Sequence, residues 1–224
     1  MEERRIAVLG GTFDPIHNGH LEIVRAINRN LRIDQLLIVP ANRPPHKTSR
    51  EIAGAYHRFS MAVLASLDEP RVLVSTIELE MPERPYTFET VERLQNDFGI
   101  GTRLFLVIGA DSFEEITTWR ESARLLSSTD LVVVTRPGHE VASTHLDERF
   151  RSTVVDVGGD KNGVDVGVAL NTHRIYIADY VNNPVSSTEV RQRVRDGKSI
   201  DDLVPPRVAA YIEKYELYKR QSNG

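Results

Sequence analysis

RIAVLGGTFDPIHNGHL, residues 5–21, runs an apolar segment into a glycine pair and then into two histidines that open a helix. Ile6, Ala7, Val8 and Leu9 form a short apolar run ending at Gly10 and Gly11, which suits a fully buried parallel strand followed by a turn where backbone comes close to a ligand. From His20 onward Leu21, Val24, Ile27 and Leu31 recur at helical spacing, so His17 and His20, three apart across the helix start, can face one point in space. A helix N-terminus offers unpaired N–H groups and a partial positive charge, and a glycine turn lets a phosphate reach them past no side chain. The stretch therefore reads as a nucleotide-triphosphate site. A glycine pair can be a turn and nothing more, and the histidines can be exposed caps. Two histidines can also hold a metal, but no third His, Asp or Glu stands at a recognisable ligand spacing, so phosphate is the stronger reading.

Working outward, short apolar runs at Leu36 to Val39, Val72 to Val74, Leu104 to Ile108, Leu131 to Val134 and Ile175 to Ile177 are separated by longer amphipathic segments. That alternation predicts an α/β fold, a doubly wound parallel sheet with helices on both faces. Ligands in such sheets sit beyond the carboxyl ends of the strands, and the residues of chemical interest fall there. The stretch from Gly138 to His173, with its glycine-rich VGGDKNGVDVGV, predicts a loop or a hairpin laid on the core.

The chain of 224 residues, 40% hydrophobic and 27% charged, is long enough for a single α/β domain with a sizeable core. It contains no cysteine, which excludes disulfides, thiolate nucleophiles and Cys-based zinc sites. The N-terminus passes directly into a strand, with no signal-peptide core and no run long enough to span a membrane, so a cytoplasmic protein is expected. A net charge of −4 argues against broad nucleic-acid binding, so polyphosphate must be held by a local cluster. A homo-oligomer is compatible with the sequence, which says nothing more about assembly.

Further clusters follow the other strands. VPANRPPHK, residues 39–47, puts Asn42, Arg43, His46 and Lys47 on a proline-stiffened loop, where a lysine can neutralise phosphate and an asparagine amide can donate to it. In PYTFET, residues 85–90, Thr87 reads as an N-cap with Thr90 three on. In IGADSFEEITTW, residues 108–119, Asp111 reads as an N-cap with Glu114 three later. Thr118 reads as the cap of the next helix, with Glu121 three on. Trp119, the only tryptophan, would then sit at a helix start, either in the core or free to stack on an aromatic ligand. In PVSSTEVR, residues 184–191, Ser186 and Glu189 form a capping box. Ser187, Thr188 and Arg191 there supply hydroxyls and a bidentate guanidinium, the groups that a pyrophosphate leaving group requires.

GGTFDPIHNGHL resembles the signature of the nucleotidyltransferase superfamily that carries a His-x-Gly-His motif, here His17 to His20. Pro-Pro-His-Lys after the second strand narrows the likeness to the bacterial nicotinate mononucleotide adenylyltransferases. Tyr-Thr-x-x-Thr at Tyr86, Gly-x-Asp at Gly109, Trp119, Arg136 in Thr-Arg-Pro-Gly, Ser-Ser-Thr-x-x-Arg at Ser186 and the tail from Asp202 are similar to that family too. The resemblance spans residues 5–137 and 174–218 and implies a Rossmann-like nucleotidyltransferase fold, with a C-terminal helical segment at about 186–220. It implies adenylyl transfer from ATP to nicotinate mononucleotide, with Mg²⁺, as a step of NAD biosynthesis. It places Gly10, Gly11, Thr12, Phe13, His17, His20, Asp111, Ser187, Thr188 and Arg191 around ATP, with His17, His20 and Arg191 acting on the reacting phosphates. It places Asn42, Lys47, Tyr86, Thr87, Trp119 and Arg136 around the acceptor. A sister enzyme acting on nicotinamide mononucleotide or another phosphate acceptor is the alternative, and a nucleotide sensor without turnover is a second.

Overall fold

The computed structural model describes residues 3–42, 52–81, 83–135, 141–157, 173–179 and 183–219. In chain order the elements are β1 (Arg4–Gly11), α1 (Asn18–Asn30), β2 (Gln35–Pro40), α2 (Ala55–Ser66), β3 (Val72–Val74), α3 (Thr87–Phe98), β4 (Thr102–Gly109) and α4 (Ala110–Glu114). A 3₁₀ turn (Ile116–Thr118), α5 (Ser122–Ser128), β5 (Asp130–Val134), α6 (Glu148–Arg151), β6 (Val154–Asp156), β7 (Ile175–Ala178), α7 (Ser187–Arg195) and α8 (Pro206–Lys214) complete the order. The predicted C-terminal helical segment is thus α7 and α8.

The strands form one seven-stranded sheet in the order β3-β2-β1-β4-β5-β7-β6. The β1–β4, β4–β5, β5–β7 and β7–β6 pairs are parallel, with Ile6 beside Leu104 and Val133 beside Ile177. Successive residues along β1, β4 and β5 are buried, which a strand achieves only when both faces of the sheet are covered. This is the predicted doubly wound, Rossmann-like architecture. The strand order reverses between β1 and β4, the position at which open sheets of this kind hold ligands. In α1 the predicted stripe of Leu21, Val24, Ile27 and Leu31 is fully buried, each worth about 2 kcal/mol.

Several local expectations are corrected. The glycine-rich run read as a loop or hairpin lies, beyond Val157, outside the described residues, while the described part of 138–173 contains α6 and the edge strand β6, which runs parallel to β7. The α3 cap is Tyr86, not Thr87. Tyr86 is extended (φ −80°, ψ 154°), and its N–H donates to the Glu89 carboxylate at 2.7 Å. The α4 cap is Gly109, and Asp111 lies inside the helix. Thr118 ends the 3₁₀ turn and donates to the Glu115 carbonyl at 2.7 Å, while α5 begins after Glu121 in a left-handed conformation (φ 55°). The Ser186 cap stands as predicted, its hydroxyl accepting from the Glu189 N–H at 3.2 Å.

Packing groups the chain into two compact units. One comprises Met1–Gly10, Ile23–Leu37 and Pro85–Asn182, the other Gly11–Glu22, Ile38–Arg84 and Asn183–Gly224. Among the described residues no helix is long and apolar enough to cross a membrane.

Candidate active site

The second unit contains the loop that follows β1. A Cβ on Gly11 would stand 2.9 Å from the tip of the Phe13 ring, so any other residue there requires that ring to shift. The backbone then turns through a left-handed conformation at Phe13 (φ 50°) and delivers the chain to α1. At the helix entry Asn18 donates twice into the 202–203 segment, from its N–H to the Leu203 carbonyl (2.9 Å) and from its amide to the Asp202 carbonyl (3.0 Å). A Cβ on Gly19 would stand 3.1 Å from His17 Nδ1, so the His17 ring would have to give by a few tenths of an ångström.

His17 and His20 meet, as their spacing predicts. Their rings stack with centroids 3.7 Å apart, and Phe13 packs edge-on to His20 at 5.0 Å. The His17 N–H donates to His20 Nδ1 at 3.2 Å, so a neutral His20 carries its proton on Nε2 and presents it as a donor. Burial lowers the His17 pKa to about 4; burial and then the His17 charge lower that of His20 to about 3. Both rings are therefore neutral at physiological pH and able to act as N–H donors, leaving formal positive charge to other groups.

That charge comes from α7. Arg191 is buried, and its guanidinium donates to the Asp14 carbonyl (2.6 Å) and to the Thr188 hydroxyl (3.2 Å). Ser187 donates to the Pro15 carbonyl at 2.9 Å. The α7 N-terminus and the loop after β1 are thereby brought together, with Ser187, Thr188, Arg191, His17 and His20 in one unit.

Three residues of this unit lie outside the sequence-based expectation. Asp14 is buried, and its Oδ1 accepts from the Ala53 N–H (2.9 Å) and the Tyr218 hydroxyl (2.7 Å). Arg58, also buried, donates to the carbonyls of Ala53, Thr12, Ala41 and Asn42, tying the loop after β1 to the loop after β2. One signal for Arg58 is present in the sequence: it lies at helical spacing from Met61, Ala62 and Ala65 on the buried face of α2. The Asn42 amide, expected to face the acceptor, donates to the Met81 carbonyl at 3.0 Å. Lys47 and Arg136, with Arg43 and His46, lie outside the described residues.

The first unit carries the other predicted positions. Gly10 is exposed near the end of β1, and Asp111 is exposed in the first turn of α4. Trp119 is half-buried at the end of the 3₁₀ turn. Tyr86 and Thr87 open α3. The Arg120 guanidinium lies 4.8 Å over the Tyr86 ring, and the Tyr86 and Phe88 rings run nearly parallel at 6.4 Å.

Comparison with known proteins gives a consistent result. The cytidylyltransferase-like family matches residues 8–193. A protein of Thermoanaerobacter sp. (strain X514), named a probable nicotinate-nucleotide adenylyltransferase, is 36% identical over 223 residues, covering 99% of this chain and 98% of the relative. One of the same name from Roseiflexus sp. (strain RS-1) is 37% identical over 219 residues, covering 98% and 100%. Among solved structures, a Plasmodium falciparum nicotinic acid mononucleotide adenylyltransferase complexed with NaAD superposes with a TM-score of 0.67 over 96% of this chain and 97% of that one. At 20% identity that likeness speaks for the fold.

Proposed function

The chain belongs to the cytidylyltransferase-like family, with nicotinate-nucleotide adenylyltransferases among its full-length relatives, and from that premise we propose that it transfers the adenylyl group of ATP to nicotinate mononucleotide, giving nicotinate adenine dinucleotide and pyrophosphate. The observation that carries this reading is the pairing of two neutral, stacked imidazoles at the start of α1 with a buried guanidinium at the start of α7.

The chemistry needs no protein nucleophile. A phosphate oxygen of the acceptor attacks the α-phosphorus of ATP in line; the bond from that phosphorus to the bridging oxygen breaks, and pyrophosphate leaves with the electron pair. What the protein supplies is alignment and donors placed where charge develops on the phosphoryl oxygens. The Nε2–H of His20, with His17 stacked beside it, supplies neutral donors for the α-phosphate oxygens. Arg191, with Thr188 and Ser187, carries the charge that the departing pyrophosphate needs. Asp111 is assigned to the adenosine side, and Tyr86, Thr87 and Trp119 to the pyridine side of the acceptor, with Lys47 and Arg136 completing that set.

Mg²⁺ belongs to this reading as a companion of ATP. In that role the cation would be carried chiefly by phosphate oxygens, with few direct protein ligands. When bound, it neutralises charge on the triphosphate.

The test is pyrophosphate release from ATP and Mg²⁺ with nicotinate mononucleotide or nicotinamide mononucleotide as acceptor, compared by kcat/KM. A strong preference for the acid is expected. Preference for the amide would move the chain to the sister activity, and no release with either would overturn the proposal.

A further inference from the structure

Four side chains from distant parts of the sequence hold the turn at residues 12–15: Arg58 on the Thr12 carbonyl, Arg191 on the Asp14 carbonyl, Ser187 on the Pro15 carbonyl and Tyr218 on the Asp14 carboxylate. The first ties two loops together, and the next two belong to the phosphate site. Tyr218 has no part in the chemistry above and lies beyond the last helix.

The chain bends twice to deliver it. After α8 the Leu217 N–H donates back to the Ile212 carbonyl at 3.0 Å, and both Glu216 (φ 52°) and Tyr218 (φ 64°) adopt left-handed conformations that non-glycine residues avoid. Such conformations persist where surrounding interactions over-determine them, and they cluster at functional sites. Here the tail is anchored by the bond from the Tyr218 hydroxyl to Asp14 Oδ1 at 2.7 Å. Burial and the neighbouring Asp14 charge push the Tyr218 hydroxyl well above its usual range, so it stays a donor at every working pH.

The consequence lies on the other oxygen of Asp14. Oδ1 is pinned by Tyr218 and the Ala53 N–H, and Oδ2 is left buried without a hydrogen-bond partner among the described residues, 3.5 Å from the Arg191 guanidinium. A carboxylate free to turn would close that gap into a hydrogen-bonded ion pair and take up N–H donors of Arg191. We infer that Tyr218 is a positioning residue that holds the Asp14 carboxylate short of a hydrogen-bonded ion pair with Arg191, so that the guanidinium keeps N–H donors for the pyrophosphate leaving group. This rests on the assignment of Arg191 to that group under the proposed function.

Pyrophosphate is its own probe in the reverse reaction, in which it and nicotinate adenine dinucleotide re-form ATP. The full-length Tyr218→Phe variant keeps the ring and removes the hydroxyl. The expected result is a KM for pyrophosphate raised about tenfold, with the KM for the dinucleotide unchanged. In an Asp14→Asn background, where no charge competes for Arg191, Tyr218→Phe should have no further effect on that KM. Tyr215→Phe, on an exposed ring of the same tail, serves as a control and should match the wild type. A Tyr218→Phe variant with unchanged pyrophosphate KM overturns the inference, whether or not its melting temperature falls, as does an undiminished effect in the Asp14→Asn background. Wild-type protein that forms no ATP from these substrates would instead refute the proposed function.

Discussion

Two buried polar clusters in this protein are built to opposite specifications. At the amino ends of β4 and β5, Arg103 grips Asp130 with two hydrogen bonds (2.5 and 2.8 Å), and Asp130 also accepts from the Arg174 N–H (3.0 Å) and contacts His173 Nδ1 (3.3 Å). Burial alone would raise the Asp130 carboxyl, but the bonds from Arg103 and His173 and the charge of Arg103 hold it below the usual carboxylate range. In the cluster after β1, by contrast, Asp14 Oδ2 and His17 Nδ1 are buried with no hydrogen-bond partner among the described residues. A buried polar group without a partner costs roughly 1–3 kcal/mol, so such groups survive where something other than stability requires them. The difference teaches where each kind of free energy resides: the satisfied cluster fixes the fold, and the under-satisfied one is the cluster proposed to take phosphate.

Breaking the satisfied cluster should give the largest effect. Asp130→Ala removes the carboxylate that takes two hydrogen bonds from the buried Arg103 and should lower unfolding free energy by about 3–5 kcal/mol in urea titration, with kcat per folded molecule nearly unchanged. A large loss of turnover without a loss of stability would blur the division between the two clusters.

Acid should act on the other side. His17 and His20 stay neutral in the folded state down to about pH 4 and about pH 3, whereas in the unfolded chain they protonate near 6.5. Their pKa values are lowered by folding, so the stability that depends on them is complete above pH 6.5 and is lost as the pH falls toward 4. About 3 kcal/mol from each histidine should disappear over that interval, and replacing His17 by Asn should flatten the decline measured by thermal melts. The rate profile should show no histidine inflection near pH 6.5.

The smallest effect concerns the first unit. Trp119→Ala should raise the acceptor KM about tenfold while leaving the KM for ATP unchanged, the loss of one aromatic stack. An unchanged acceptor KM would make Trp119 a packing residue.

Much of this is legible in the sequence because burial and periodicity are local. β3 falls on Val72–Val74 as expected, and the other predicted apolar runs widen by only a residue or two at either end. The Ser186 capping box is a local motif, and the structure keeps it. The caps expected at Thr87, Asp111 and Thr118 are displaced because the chain turns at Tyr86, Gly109 and Glu121 for reasons of path, which residue preference does not encode. The edge strand β6 is three residues long, too short for alternation to register. Asp14 and Tyr218 could not be paired in advance, since they stand 204 positions apart and only the folded chain joins them.

The most direct measurement is kcat for adenylyl transfer by His20→Ala, taken with its melting temperature at pH 7. Loss of a donor to the developing charge should lower kcat roughly a hundredfold or more, while the melting temperature moves by only a few degrees. A variant that turns over within a few fold of wild type would contradict the claim that the under-satisfied cluster is the catalytic one.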